Sequence, residues 1–188
     1  RRQRQMCIRD RLFYLPLAGS TFKKVYYDEN LGRAVSKFVP AENLIVPYKT
    51  SDLETCHNIT HIVRMSLNDL RKRQLSGFYR DIPVIPAQGD SNSVKDEIER
   101  IDGMYPSQID YDCTLLECHV DLDLEGYEEM DEEGEPTGIK VPYVVTISQD
   151  NGQVLSIRRN YREDDDNKKK IQYFVHYKFL PGFGFYGL

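Results

Sequence analysis

The chain is 188 residues long, 40% apolar and 29% charged, with 13 Tyr, 8 Phe and a net charge of −5. Such a length and composition suit one domain, or one and a half, with a real core, and exclude a disordered chain. No apolar run approaches the roughly 18 residues of a membrane span, and no N-terminal stretch has the apolar centre of a signal peptide, so the expectation is a cytosolic protein or one assembled in a cytosol, without a membrane partner.

Residues 1–11, "RRQRQMCIRDR", have no periodicity and no capping signal, and they do not begin with Met. They resemble a translated sequencing-adapter leader, and the alternative is a basic nucleic-acid-binding arm. They carry five Arg and one Asp, so residues 12–188 hold −9 of the net charge. That acidic balance weakens any claim of a tight grip on a phosphate backbone. At the other end the chain stops in mid-motif, and the expectation is an internal piece of something longer.

"STFKKVYYDENLGRAVSKFVP" predicts a hairpin, with Phe22, Val25 and Tyr27 marking one arm, Val35 and Phe38 the other, and "DENLGR" as the turn. "AENLIVPY" predicts a short turn and an extended stretch broken by Pro47, and "NITHIVRMS" a β-branched strand. In "SLNDLRKRQLSGFY" the signals are those of a helix: Ser66 as cap, Asp69 in the capping-box position, an apolar stripe of Leu67, Leu70 and Leu75, and Gly77 as the stop. "SVKDEIERIDGM" predicts a second, shorter helix ending at Gly103.

From residue 111 the chain reads as β. In "CTLLECHVDLDL" the residues Leu116, Cys118, Val120, Leu122 and Leu124 alternate with polar partners, the period of a half-buried strand. "VPYVVTISQDNGQVLSIRRNY" predicts a hairpin with Asn151-Gly152 in a type I′ turn, which needs positive φ at both residues. "KKKIQYFVHYKFL" predicts a further strand of the same meander. Residues 121–135 hold nine carboxylates in fifteen positions, a pattern read as a solvated, mobile loop, and "EDDDNKKK" is a charged turn.

Residues 182–187, "GFGFYG", satisfy G-x-G-x-x-G, the spacing of a dinucleotide phosphate turn. That turn requires a parallel β-α-β unit, a helix at the third glycine and an acid about 20 residues on. The strand before it belongs instead to an antiparallel run, and Phe183, Phe185 and Tyr186 are bulky. The favoured reading is a Pro-Gly turn with aromatics anchored in an apolar surface and glycine relieving crowding. No G-x4-G-K-[ST] occurs.

Cys56, His57, His61, Cys113, Cys118 and His119 supply the residue types of a zinc site. If His57 and His61 both lie in one strand they stand roughly 13 Å apart, too far for two ligands of one zinc. Cys118 and His119 are adjacent and would point to opposite faces. Inert buried cysteines and ordinary strand histidines are the reading, and the four cysteines (Cys7 is the other) fit a reducing compartment. Asp121 and Asp123 share a strand face without forming a catalytic constellation. The run "EDDD" lacks the spaced ligands and glycine of a calcium loop, and there is no G-x-S-x-G elbow. The expectation is a chain with no catalytic, cofactor-binding or metal-binding residues and no cofactor, not an enzyme.

Several segments together carry a resemblance. From Leu12 to Asp81 they run in one ordered block: a "PLAG-x-x-FKKVYYD" hairpin, "FVPAENLIVPY", "ITHIVRMS" leading into a helix, then "GFYRDI". The series resumes with "YDCTLLECHVDLDLEG", "PYVVTIS" and "VLSIRRNY", and reaches "HYKFLPGFGFYGL". In order and spacing this resembles the portal protein of short-tailed bacteriophages over most of residues 12–188, apart from the acidic insert and "PAQGDSNSV". No single piece is specific, since each is a strand or a turn.

The resemblance implies a structural subunit of a homo-oligomeric ring, commonly of twelve copies, at the capsid portal vertex of a virion assembled in the host cytoplasm. Such a ring is the conduit for DNA packaging and ejection. Its implied partners are copies of itself, terminase, tail or head-completion proteins, the major capsid or scaffold protein, and passing double-stranded DNA without sequence-specific contacts. The alternative is a non-enzymatic interaction domain of another virion or cytosolic assembly protein. The expected fold is α+β, with antiparallel hairpins, a β-meander and two short helices, like a portal wing or clip. Residues 12–104 would form an α+β segment and residues 105–188 a mainly antiparallel β segment with the acidic loop at 125–138.

Overall fold

The structure, a computed structural model, describes residues 14–28, 32–84, 113–130, 133–180 and 185. The fold is α+β, with two antiparallel sheets and few, short helices. Strand β1 (Ser20–Asp28) pairs antiparallel with β2 (Arg33–Pro40), from Thr21 opposite Pro40 to Asp28 opposite Arg33. A 3-10 turn (Ala41–Asn43) leads to the short β3 (Leu44–Ile45), then come β4 (Ile59–Met65), helix α1 (Leu67–Leu75), β5 (Cys113–Leu122), β6 (Val141–Ser148), β7 (Val154–Arg159) and β8 (Phe174–Lys178). One sheet has the order β2-β1-β8 and the other β3-β4-β5-β6-β7. The second predicted helix, residues 93–104, lies outside the described residues, as does the leader at 1–11.

The first hairpin forms as expected, but its apolar residues divide between two faces. Phe22 is fully buried, while Val25 and Tyr27, of opposite parity, are exposed. On β2 it is Val39, not Phe38, that enters the core. A helical turn at 14–18, which the pattern did not announce, places the Tyr14 ring edge-on to Phe38 at 5.8 Å.

Helix α1 starts where predicted. Ser66 is extended and its hydroxyl accepts the amide of Asp69 at 3.2 Å, satisfying one of the free donors of the first turn. Gly77 ends it in the left-handed region (φ +74°), and its amide donates to the Gln74 carbonyl. The predicted stripe is corrected at its end. Leu70 is buried, but Leu75 is 74% exposed, because five residues on it has rotated about 140° around the helix. Gln74, one turn after Leu70, takes the buried place. Its amide nitrogen donates to the carbonyls of Arg80 and Ile82 and its oxygen accepts from Arg71, so a polar side chain is buried at little cost.

Strand β5 buries the parity opposite to the one expected. Cys113, Leu115 and His119 are interior, whereas Leu116, Cys118, Val120 and Leu122 are only half covered, and Leu124 lies beyond the strand. The even positions (Thr114, Leu116, Cys118, Val120, Leu122) are the more apolar set, so the tertiary neighbours override the strand's own pattern in deciding the face. The β6–β7 turn is also corrected. Only Gly152 has positive φ (+67°); its amide bonds back to the Ser148 carbonyl and the Ser148 amide to Gln153, so the loop is longer than a type I′ pair. Asn151 contributes through its side chain, accepting the Gln153 amide at 3.1 Å.

The chain divides into two compact units interleaved in sequence. Unit 1 comprises residues 1–61, 119–143 and 159–188, and unit 2 residues 62–118 and 144–158. The core of unit 1 is Phe22, Val39, Leu44, Leu53, Cys56, Ile59, Phe174 and Phe185. That of unit 2 is Met65, Leu70, Tyr79, Cys113, Leu115 and Leu155. The expected division between residues 104 and 105 falls outside the described residues.

Candidate functional site

The residues nominated from sequence are dispersed. Of the glycine turn only Phe185 is described. It is buried in unit 1, 5.8 Å from the Phe22 ring and 4.6 Å from that of His176. The strand before it, β8, is antiparallel as expected but does not continue the meander. It crosses to β1, with Phe22 opposite His176 and Thr21 opposite Tyr177.

Of the zinc-type residues, His57 lies before β4 rather than in it. Its Nδ1 is 2.8 Å from Asp121 Oδ2 at the end of β5, a largely exposed pair of the kind that contributes about 0–1 kcal/mol. His61 and His119 both pack against the Phe174 ring, at 5.5 and 5.2 Å. The thiol of Cys56 donates to the Asn58 carbonyl at 3.0 Å and that of Cys113 to Met65 at 3.2 Å. Asp123 lies past the strand end and does not join Asp121. In "EDDD", Glu163 pairs with Arg159, and Asp165 accepts the amides of Asn167 and Lys169, which closes a turn.

A serine–histidine contact that motif reading could not find sits in unit 1. Ser20 Oγ is 2.9 Å from His176 Nε2. The signal for it is the β1–β8 register, which joins positions 156 apart in sequence. Ser20 is fully buried, so its hydroxyl has no access to a substrate, and the pair is structural. The imidazole is stacked on Phe22 with ring centres 4.5 Å apart. Burial, helped by the charge of Lys178, depresses its pKa to about 4, so the ring is neutral at physiological pH. In the same unit, the partly buried Lys170 ammonium donates to the carbonyls of Leu53 and Cys56, tying the charged turn to the core.

Two surfaces stand out beside these packed groups. In unit 2, Arg158 lays its guanidinium 3.6 Å from the centre of the Phe78 ring and donates to the Phe78 carbonyl. Arg73 approaches the same ring at 5.6 Å and the Tyr79 ring at 5.8 Å. Phe78 is 37% exposed, whereas Tyr79 is buried, and burial raises its hydroxyl pKa against the opposing charge of Arg73. The described residues of unit 2 carry Arg64, Arg71, Lys72, Arg73, Arg80 and Arg158 against Asp69, Asp81, Glu117 and Asp150. Asp69 pairs with Lys72 and Asp81 with Arg71, while Arg73 and Arg158 meet no carboxylate among the described residues.

In unit 1 the acidic stretch is solvated but specifically folded. The Tyr127 amide bonds to Leu124, the Gly126 amide to the Glu128 carboxylate, and Thr137 to the Glu129 carbonyl through both its amide and its hydroxyl. Met130 and Pro136 form a β-bridge, and the Glu129 carboxylate pairs with Lys168. Among the described residues, no three His, Cys, Asp or Glu side chains are grouped to hold a metal ion. No helix among them is long and apolar enough to cross a membrane. No family model and no curated protein matches the chain.

Proposed function

We propose that this chain is a structural, non-enzymatic part of a phage portal subunit, a protomer of the ring at the capsid vertex through which DNA is packaged and ejected. The observation that carries the reading is the ordered series of segments from Leu12 to Leu188 that resembles that family. Two physical features support it. Residues 12–188 are distinctly acidic, and an acidic conduit repels DNA instead of binding it through counterion release, so the duplex slides. Val25, Tyr27 and Val175 of the three-stranded sheet are exposed, apolar surface that a neighbouring protomer can bury.

In this reading the partners are other copies of the protein, terminase, tail or head-completion proteins and the capsid or scaffold, with DNA passing without sequence readout. The assembly belongs to the virion. The test is size-exclusion chromatography with light scattering on the full-length protein that contains this chain. A large closed ring is expected. A strictly monomeric protein would sink the portal reading in favour of an interaction domain of another assembly protein, for which the exposed apolar residues Val25, Tyr27 and Val175 serve equally well. Stoichiometric zinc or a co-purifying nucleotide, sought by metal analysis and mass spectrometry, would instead point to an enzyme.

A further inference from the structure

We infer that the Arg73–Phe78–Arg158 surface of unit 2 is a docking site for the acidic arm Asp123–Met130 of a second copy of this chain. The patch carries two guanidiniums without a carboxylate partner among the described residues, held in place around one exposed ring. Arg158 is preorganised: its guanidinium carbon sits 3.6 Å from the Phe78 ring centre and one nitrogen donates to the Phe78 carbonyl, which leaves the rest of the fork to receive a carboxylate. Arg73 is fixed too, since its guanidinium reaches the Tyr79 hydroxyl at 3.4 Å. Little side-chain entropy remains to be lost on binding.

The arm is complementary in charge and in apolar character. Asp123 and Glu125 are exposed and bond to no other described residue, while Tyr127 and Met130 on the same arm are 68% and 55% exposed. An aromatic and a thioether beside free carboxylates match a ring flanked by arginines, with Tyr and Arg the residue types enriched at interface centres. A base-stacking nucleic acid fits less well. Arg158 at 3.6 Å already covers one face of Phe78, and the chain as a whole is acidic.

Arm and patch are different surfaces, so the contact is heterologous, and repeated head to tail it generates either a ring or an open filament. Only that last step rests on the portal reading.

The experiment is sedimentation velocity on the 188-residue chain with two charge-reversed variants, Arg73→Glu/Arg158→Glu and Asp123→Lys/Glu125→Lys. Circular dichroism confirms that each is folded. The wild type is expected to associate with rising concentration, and less so as salt rises from about 0.05 M to about 0.5 M. Each variant alone should associate roughly tenfold more weakly, and an equimolar mixture of the two should regain heterotypic association. A wild type that stays monomeric at low salt overturns the inference, as does an arm variant that associates like the wild type. The arm variant decides the matter even if the patch variant misfolds, because its residues are exposed and unpaired. Binding of a single-stranded oligonucleotide that is lost with Arg73 and Arg158, without self-association, overturns it in favour of nucleic acid. A full-length ring indifferent to both reversals sinks the contact and leaves the ring, whereas reversal-sensitive open chains sink the ring and leave the contact.

Discussion

The core of unit 1 is closed by a strand drawn from the far end of the chain, whereas that of unit 2 is covered by a helix that follows its strand after a single residue. In unit 1, β8 brings Phe174 and His176 against Phe22, a partner more than 150 residues earlier, and stacked rings lie among the aliphatic residues of the interior. In unit 2, Met65, the Ser66 cap and Leu70 of α1 are near neighbours, and the interior is mainly aliphatic and thiol. The surfaces differ in sign as well, with the unpaired arginines in unit 2 and the acidic arm in unit 1. One antiparallel chemistry is thus completed by non-local pairing in unit 1 and by local capping in unit 2, and the two routes should fail differently.

The largest effect expected is at Phe22. Replacing it with Ala empties the centre of the stack with His176 and Phe185 and should cost about 3–5 kcal/mol by chemical denaturation. Hydrogen exchange then tells whether the two cores unfold separately. If the two cores are energetically separate, amides of β1 and β8 lose protection while those of α1 keep it. Equal loss in both units would show a single cooperative body. The counterpart in unit 2 is Gln74→Ala, which strips the side-chain donor from the Arg80 and Ile82 carbonyls. It should cost about 1–3 kcal/mol, less than Phe22→Ala because Arg80 is exposed and water can reach its carbonyl.

How much of this was legible in sequence follows the same division. Ser66, Asp69 and Gly77 announce α1 because capping is written in consecutive residues. The β1–β2 hairpin is legible for the same reason. Register and face are not. Leu116 and Leu115 are interchangeable by hydropathy, and only the packing of β5 against Met65 and Leu155 selects Leu115 for the interior. The pairing of β8 with β1 rather than with β7 has no local signal, so neither does the Ser20–His176 bond. Interleaved units have no linker, and composition shifts along the chain therefore could not mark them. The arginine patch was equally hidden, since Arg158 and Phe78 meet only in the fold.

A pH dependence should separate the units next. The His176 pKa is lowered by folding, from an ordinary 6.5 to about 4, so between those values the unfolded chain binds more protons than the folded one. This contribution to stability is complete above about pH 6.5 and is lost as pH falls toward 4. The half-exposed ring makes the effect moderate. Melting temperatures of the wild type and His176→Phe, compared between pH 7 and 4.5, should converge or cross as pH falls. Parallel curves would remove His176 from the account, because carboxylate titration is common to both proteins.

The smallest effect tests the local strategy of unit 2. Ser66→Ala removes the hydroxyl that accepts the Asp69 amide and should cost about 1 kcal/mol, since that amide is then left to water. Gly77→Ala should cost a similar amount, about 1–2 kcal/mol, for a different reason. A Cβ at Gly77 meets nothing within 4 Å, so there is no clash to relieve, and the whole cost lies in holding an L-residue at φ +74°. Gly77→Asn should therefore recover part of the loss, because asparagine tolerates the left-handed region. If Ala and Asn prove equally costly by denaturant midpoint, backbone conformation is not what ends α1, and the helix stop must be assigned to the packing of Phe78 and Tyr79 that follows it.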